Sequence, residues 1–477
     1  MYKAMDHCGI VVCHSLHDTY KALKAIQHRG QDTAGIAAKN RHGVDILRWQ
    51  GYVDNFSLEN MHKILNGSLF IGHVRYATYG EKNTDALFQG AHPRFIDTDN
   101  ITEYRDPPHP HLIARGATKA IVHNGTLVGV SCDGDLIDTD IMLRAYSKNG
   151  IEWVMKCFPA SYASAILDMR RDEVVVFRDR HGIRPLWIGE KDGRVVAASE
   201  DVAIWDIGGK PIREVRPGEA VYIDMEGTDI RSNQVVEPSP NTSLCFFEFN
   251  YNSAASSTLD GKSIKDVGYR IGMILASEYT PDVDFVTYIP NRPKSMARGY
   301  SDSRGLPFVE VFYKVRMERA FLGPTREKRA QSIGSNLFIL DNVDLRGKRI
   351  VVVDDSVVRL TNAPDAAKKL RDRGAEWIAL VLGTPVIGPV IDGEEHGCLF
   401  GVDMPPGDDF AIQRCGDLDG IKKESGFDDV YYISTDGLAH AHGVPSEQRC
   451  MYCIGGPNPV KEEELKAMEA ALAELDI

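Results

Sequence analysis

Residues 1–12 read MYKAMDHCGIVV, and the fold turns on why a thiol, Cys8, stands so near the start of the chain, directly before Gly9 and a short apolar run. Three readings are open. Cys8 is an ordinary small core residue, or half of a disulfide, or a nucleophile exposed once Met1 to His7 are cut away. Composition narrows the choice.

A chain of 477 residues, 43% apolar and 26% charged, has the balance of a globular protein with a full core and is long enough for two or three domains. A formal net charge of -13 argues against a nucleic-acid-coating or anionic-membrane protein, since both need surplus Lys and Arg. A local basic pocket for a phosphorylated metabolite stays possible. No apolar run approaches the roughly 18 residues that span a bilayer. The first seven residues lack the apolar stretch of a secretory leader, so a cytoplasmic location is expected. In that compartment the nine cysteines are expected to be reduced, which sets the disulfide reading aside. Only Cys450 and Cys453, in RCMYCIGG, have close metal-ligand spacing, and a lone C-x-x-C is ambiguous.

Short β-branched and aromatic runs fill the first half to about residue 240. GIVVC, LFIGHVRYA, KAIVHNG, YASAILDM, EVVVFRD, RVVAASE and EAVYIDM predict largely antiparallel strands, with helices over DTYKALKAIQHRG and IDTDIMLRAYSKNG. Residues 100–116, NITEYRDPPHPHLIARG, are expected to be an irregular loop, either a functional cover or partly disordered. From about residue 262 strand and helix alternate, which predicts parallel strands with crossover helices. RIVVVDD, ending at Asp354 and Asp355, reads as a buried parallel strand with a site at its carboxyl end. A charged helix, KEEELKAMEAALAELDI, closes the sequence.

The front half carries groups suited to a small zwitterion. A thiol at a chain start can use its own α-amino group, with a reference pKa near 8, as the base. Arg75, in GHVRYATYG, can clamp a carboxylate bidentately, and Asp138, in DTDIML, can hold an ammonium. Asn124 and Gly125, in AIVHNGTLVG, can donate to a developing oxyanion. Taken singly, each has an ordinary structural explanation. In this order, beginning at Cys-Gly, they resemble the glutaminase domain of the class II glutamine amidotransferases, an N-terminal-nucleophile αββα fold. The resemblance runs from Cys8 to about residue 225, through RDRHGIRPLWIG and VVAASED. It implies that residues 1–7 are a propeptide and that Cys8 forms a γ-glutamyl thioester and releases ammonia. Arg75 and Asp138 would hold the glutamine backbone groups, and Asn124 and Gly125 the oxyanion.

The stretch KRIVVVDDSVVRLTNA resembles the phosphoribosyl pyrophosphate (PRPP) motif of type I phosphoribosyltransferases. Joined to this glutaminase, such a domain is similar to the amidophosphoribosyltransferase family, and GYSDSRGLPF, FYKVRMERAFLGPTREKR and LFGVDMP agree with that family in order. The resemblance implies that Asp354, Asp355, Ser356, Arg359, Thr361 and Lys314 bind PRPP, with Mg²⁺ on the two acids. Several positions depart from it. Arg359-Leu360-Thr361-Asn362 stands where the family has Arg-Gly-Thr-Thr, and Pro290-Asn291-Arg292 where it has Pro-Asp-Ser. Glu318 replaces a Gly within a basic stretch that keeps Arg316, Arg319, Arg326 and Arg329. Leu at a position suited to Gly carries a steric penalty, so a remodelled phosphate pocket is expected.

Cys245, Cys398, Cys450 and Cys453 stand where the iron–sulfur subgroup of this family places its ligands, which implies a structural [4Fe–4S] cluster tying the domain junction and the C-terminal segment to the second domain. Four thiolates alone suit zinc equally well. Cys13, Cys132, Cys157 and Cys415 are expected to be packing residues.

The expected architecture is thus α/β in class: a propeptide (1–7), an α+β glutaminase domain (8–240), a type I phosphoribosyltransferase-like α/β domain (241–455) and a terminal helix (456–477). The expected activity is glutamine-dependent synthesis of 5-phosphoribosylamine, the first step of purine biosynthesis, in a homo-oligomer (dimer or tetramer) open to nucleotide feedback. Three alternatives are a paralogue with another phosphorylated acceptor, a non-catalytic metabolite sensor, and an asparagine synthetase or sugar-phosphate amidotransferase. The acid pair and four cysteines speak against the last.

Overall fold

The computed structural model describes residues 8–76, 88–106, 110–130, 136–240, 242–290, 292–314, 337–402 and 404–475. The expected propeptide, Cys132, His109 and the basic stretch from Arg316 to Arg329 lie outside the described residues.

Alternating apolar patterns give two antiparallel sheets stacked face to face. The first has nine strands, and the strands Cys8–Cys13 and Leu69–Arg75 are neighbours near its middle. The second has six, including Lys119–Thr126 beside Ser161–Asp168. Ile10, Val12 and Ile71 from one sheet pack against Val122, Ala165 and Val176 from the other. On the outer face of the first sheet, helix Leu16–Ala25 buries Leu16, Ala22 and Leu23 with Trp49 and Val74. Helix Asp138–Asn149 covers the second sheet with Ile141, Met142 and Ala145. Each layer buries one stripe or face, and the result is the expected αββα sandwich.

Residues 100–116 differ from expectation. Ile101–Tyr104 and His111–Ala117 pair antiparallel and extend the edge of the nine-stranded sheet. The Tyr104 ring stacks on His111 at 4.4 Å, and Phe56 meets the other side of that imidazole edge-on at 5.2 Å. The prolines marked a loop, but the flanking alternation carried a hairpin that only pairing with a neighbouring strand stabilises.

The back half has a four-stranded parallel sheet in the order Phe285–Tyr288, Arg349–Asp354, Trp377–Leu382, Asp429–Tyr432. Helices Ile264–Glu278 and Lys294–Arg304 cover it, with Ala363–Asp372 packed beside Val352 and Leu380. Asp354 ends the second strand in this order, as its apolar run predicted.

The terminal helix Glu462–Leu475 does not stay with the second domain. Met468 and Leu475 are buried with Ile141, Val154 and Phe158 of the first. Glu464 pairs with Arg180 at 3.3 Å, and Lys148 Nζ donates to the Leu475 carbonyl at 2.9 Å. Its charged and apolar positions together give no sign in sequence of which surface it covers.

Leu360 adopts φ +56°, the left-handed conformation that glycine tolerates best. Its side chain is buried with Val357, Ala363 and Leu382. Apolar burial therefore holds a strained backbone. Replacing Leu360 by Ala keeps the strain and loses the packing, whereas Gly removes both. Chemical denaturation is expected to show Leu360→Gly more stable than Leu360→Ala by about 1 kcal/mol, the reverse of the usual order.

Candidate active sites and the junction between them

Strand register builds the first site. Cys8 and Thr33 both pair with Arg75, so the strand carrying Arg75 runs between them. Cys8 and Arg75 are fully buried. A Cβ on Gly30 would strike the Arg75 backbone, and one on Gly90 would strike its guanidinium, so two glycines let the chain close around this arginine. Across the sandwich, Asn124 pairs with Ala163 and Gly125 with Tyr162. Gly125 has φ +150°, and a Cβ there would collide with the Ser161 carbonyl.

Asn124 is completely buried, yet neither amide atom has a hydrogen-bond partner among the described residues. An unsatisfied buried amide costs about 1–3 kcal/mol, and such groups persist where a ligand completes them. Asp138, at the start of its helix, is oriented by four donors, the Thr139 hydroxyl among them at 3.2 Å. Leu127 N and Thr126 Oγ1 reach one carboxylate oxygen at 3.0 and 3.3 Å, and Thr139 N reaches the other at 2.7 Å.

Three buried histidines tie these pieces together. His73, two residues before Arg75, meets the His123 carbonyl through Nε2 at 3.0 Å. His123 Nδ1 and His92 Nε2 each lie 3.0 Å from Thr139 Oγ1, and the His73 and His92 rings stack at 4.3 Å. Burial depresses all three, His73 to about 3, so they stay neutral and act as spacers.

Sequence reasoning passed over the groups that fix Cys8 from behind. Arg29 Nε donates to the Cys8 carbonyl at 2.8 Å, Nη1 to Glu200 at 2.7 Å, and Nη2 to Glu248 at 2.9 Å. Arg184 Nη1 reaches the same Glu248 oxygen at 3.0 Å, and Ser253 Oγ donates to Glu248 at 2.8 Å. All four charged side chains are buried. Glu248 belongs to the chain that enters the second domain, so the ion network closes the junction. Its one sequence signal was a single acid inside the apolar run LCFFEFNY.

The second site lies at the carboxyl edge of the parallel sheet. Asp354 and Asp355 are both buried. Burial and the neighbouring Asp355 raise the Asp354 carboxyl well above its ordinary value. Burial raises Asp355 to about 6, against the lowering influence of Ser356, Arg292 and Lys314. Ser356 Oγ donates to Asp355 at 2.8 Å, and the charge of Lys314 reaches both acids. Arg359 instead forms an ion pair with buried Asp408, and Thr361 is exposed just beyond Leu360.

The four cysteines also converge. Cys245 and Cys450 are register partners in a short parallel pair, and Cys398 and Cys453 are buried in the same cluster. Each is a free thiol, raised by burial, and each lies within electrostatic reach of others in the set. Backbone N–H groups of Phe400 and Val402 both point at Cys398 Sγ, 3.3 Å away. Among the described residues, no three His, Cys, Asp or Glu are grouped closely enough to hold a single metal ion.

Burial pushes the Glu248 carboxyl up, but Arg29 and Arg184 overcome it and hold it at about 2, below its ordinary 4.5. Its stabilising contribution is therefore complete above pH 4.5 and is lost as pH falls toward 2. Glu248→Gln leaves two buried guanidinium groups short of a charge and is expected to cost about 3–5 kcal/mol at pH 7. Thermal melts from pH 7 to 3 check this. The gap between wild type and variant must narrow as pH falls.

A profile of the glutamine amidotransferase domain matches residues 129–206. Amidophosphoribosyltransferase 3, chloroplastic, of Arabidopsis thaliana is 30% identical, the alignment covering 98% of this chain and 87% of that protein. Amidophosphoribosyltransferase of Methanothermobacter thermautotrophicus is 30% identical over 98% of both chains. Among solved structures, glutamine PRPP amidotransferase from B. subtilis, complexed with ADP and GMP, superposes with a TM-score of 0.77 at 27% identity, covering 95% of this chain and 97% of that one. A structure of the allosteric regulatory enzyme of purine biosynthesis gives 0.79 at 28%, covering 95% and 96%. Likeness at this level spans both sites and the junction between them, and the chain belongs to the amidophosphoribosyltransferase family.

Proposed function

We propose that this chain carries out the first step of purine biosynthesis, moving the amide nitrogen of glutamine to C1 of PRPP. The Cys8 thiol gives its proton to the freed α-amino group, and its sulfur attacks the amide carbon. Asn124 and Gly125 stabilise the oxyanion, the C–N bond breaks, and ammonia leaves a γ-glutamyl thioester that water cleaves to glutamate. Arg75 and Asp138 hold the carboxylate and ammonium of the substrate. At the second site the bond from C1 to pyrophosphate breaks and ammonia adds, giving 5-phosphoribosylamine. The buried Asn124 amide, with both polar atoms unsatisfied among the described residues, carries the reading.

Tyr251 links the two halves of the proposal. Its ring stacks on Phe247 at 5.2 Å, and it lies within electrostatic reach of Tyr76, Asp354 and Asp355. The boundary near residue 240 belongs to the same reading.

The acid pair fits a divalent cation, since two buried carboxylates side by side favour a counter-charge. Mg²⁺ bound there would neutralise pyrophosphate. The cysteine set fits a [4Fe–4S] cluster. Four buried thiols converge without the tight grouping of a single-ion site, and two N–H groups are aimed at one sulfur. The cluster would be structural. Nucleotide feedback, like that suggested by the ADP and GMP complex of the B. subtilis protein, and assembly into a homo-oligomer complete the proposal.

A second reading keeps the glutaminase but changes the acceptor. Leu360 in a strained turn and Arg359 engaged by Asp408 favour it, because both alter the loop that would cradle phosphate.

Full-length, anaerobically purified protein is expected to begin at Cys8 by intact mass and to release pyrophosphate only with PRPP plus glutamine or ammonia. Cys8→Ala should lose the glutamine-dependent release and keep the ammonia-dependent one. Glutamine hydrolysis without PRPP consumption would select the second reading. Iron and sulfide near four atoms each per chain are expected, with Cys453→Ser losing both and the visible absorbance. A metal-free, fully stable protein would refute the cluster.

A further inference from the structure

Arg292 follows the first strand of the parallel sheet, at the same carboxyl edge as the acid pair, since Tyr288 is in register with Val353. Two of its three guanidinium nitrogens are fixed by the backbone of the junction. Nε donates to the Asn250 carbonyl at 3.1 Å and Nη2 to the Phe249 carbonyl at 3.0 Å. That backbone is itself held. Asn250 Nδ2 donates to the Gly383 carbonyl at 2.6 Å, its Oδ1 lies 3.2 Å from His442 Nε2, and Glu248 anchors the start of the segment. The remaining nitrogen, Nη1, has no hydrogen-bond or ion-pair partner among the described residues. Asp355 is the carboxylate that acts most strongly on this guanidinium. Arg292 is thus a fixed cation within electrostatic reach of Asp355, with one donor nitrogen left unpartnered among the described residues.

We propose that Arg292 is a ligand-binding residue of the second site, where its free Nη1 edge binds a phosphoryl oxygen of a diphosphate and supplies positive charge that a divalent cation would otherwise provide alone. The inference rests on the reading of that site as one for a phosphorylated sugar diphosphate. Guanidinium is suited to the task, because it keeps its charge when half-buried and its free edge matches phosphoryl oxygens. Two backbone anchors prevent it from collapsing onto Asp355, so little rearrangement is needed when the ligand arrives. Serine, which the family resemblance places here, has neither charge nor reach. The consequence is a shift in what the pocket asks of the metal. With Arg292 present, part of the pyrophosphate charge is met by the protein, and binding survives removal of Mg²⁺ better than in a site built from acids alone.

Isothermal titration of the full-length protein with inorganic pyrophosphate, with Mg²⁺ and with EDTA, tests this. Arg292→Ser is expected to weaken metal-free binding by about tenfold, the scale of one charge-assisted hydrogen bond, and to weaken binding in Mg²⁺ less. Arg292→Lys should keep most of the metal-free affinity, whereas Arg292→Gln should not. That pair of similar length reads the same quantity if the serine variant does not fold. Equal metal-free affinity in wild type, Arg292→Ser and Arg292→Gln would overturn the role of Arg292 and leave the reading of the site standing. A wild-type protein that binds no pyrophosphate under either condition would overturn both.

Discussion

Arg29 donates at once to the carbonyl of Cys8 and to two buried carboxylates, one from each half of the molecule. A buried guanidinium is tolerable only where all its charge and donors are met. Glu200 comes from the first domain and Glu248 from the chain entering the second, so the requirement is met only when the halves are docked. Glu200 is further held by Ser257 Oγ at 2.6 Å and Ala254 N at 2.9 Å, both beyond the junction. Position of Cys8 and closure of the junction are therefore one structural problem.

The front site is rigid for a related reason. Oxyanion donors and substrate clamps act through geometry, and a loose site loses most of their effect. Here the strand of Arg75, the strand of Asn124 and the helix of Asp138 meet through His73, His123, His92 and Thr139. Neutral imidazoles suit that place. Each fills space like an aromatic ring while offering a hydrogen bond, and burial keeps a competing charge away from the Arg75 pocket. The two faces of the sandwich are locked in register beside the nucleophile.

The back site is built on opposite terms. Its acids repel one another, its loop holds Leu360 in a conformation that favours glycine, and its nearby cations are divided in their loyalties. Arg359 leans on Asp408, Arg292 on backbone carbonyls, and Lys314 alone approaches from an exposed strand. Strain and uncompensated charge of this kind persist at binding sites, where a ligand removes them.

Sequence alone determined the layered architecture, because period-two alternation specifies half-buried antiparallel strands and a continuous apolar run ending in acids specifies a parallel strand with a site at its tip. It also brought Cys8, Arg75, Asn124 and Asp138 forward as a candidate set, through the family resemblance that their order carries. Tertiary structure decided what depends on distant partners. Ile101–Tyr104 and His111–Ala117 became paired strands because a sheet edge was there to accept them. The terminal helix crossed back to the first domain, where Met468 and Leu475 are buried with Ile141, Val154 and Phe158. Arg29, Glu248 and Arg292 acquired meaning only when the junction closed, for a buried charge is defined by what surrounds it, and Arg29 meets Glu248 across more than two hundred positions.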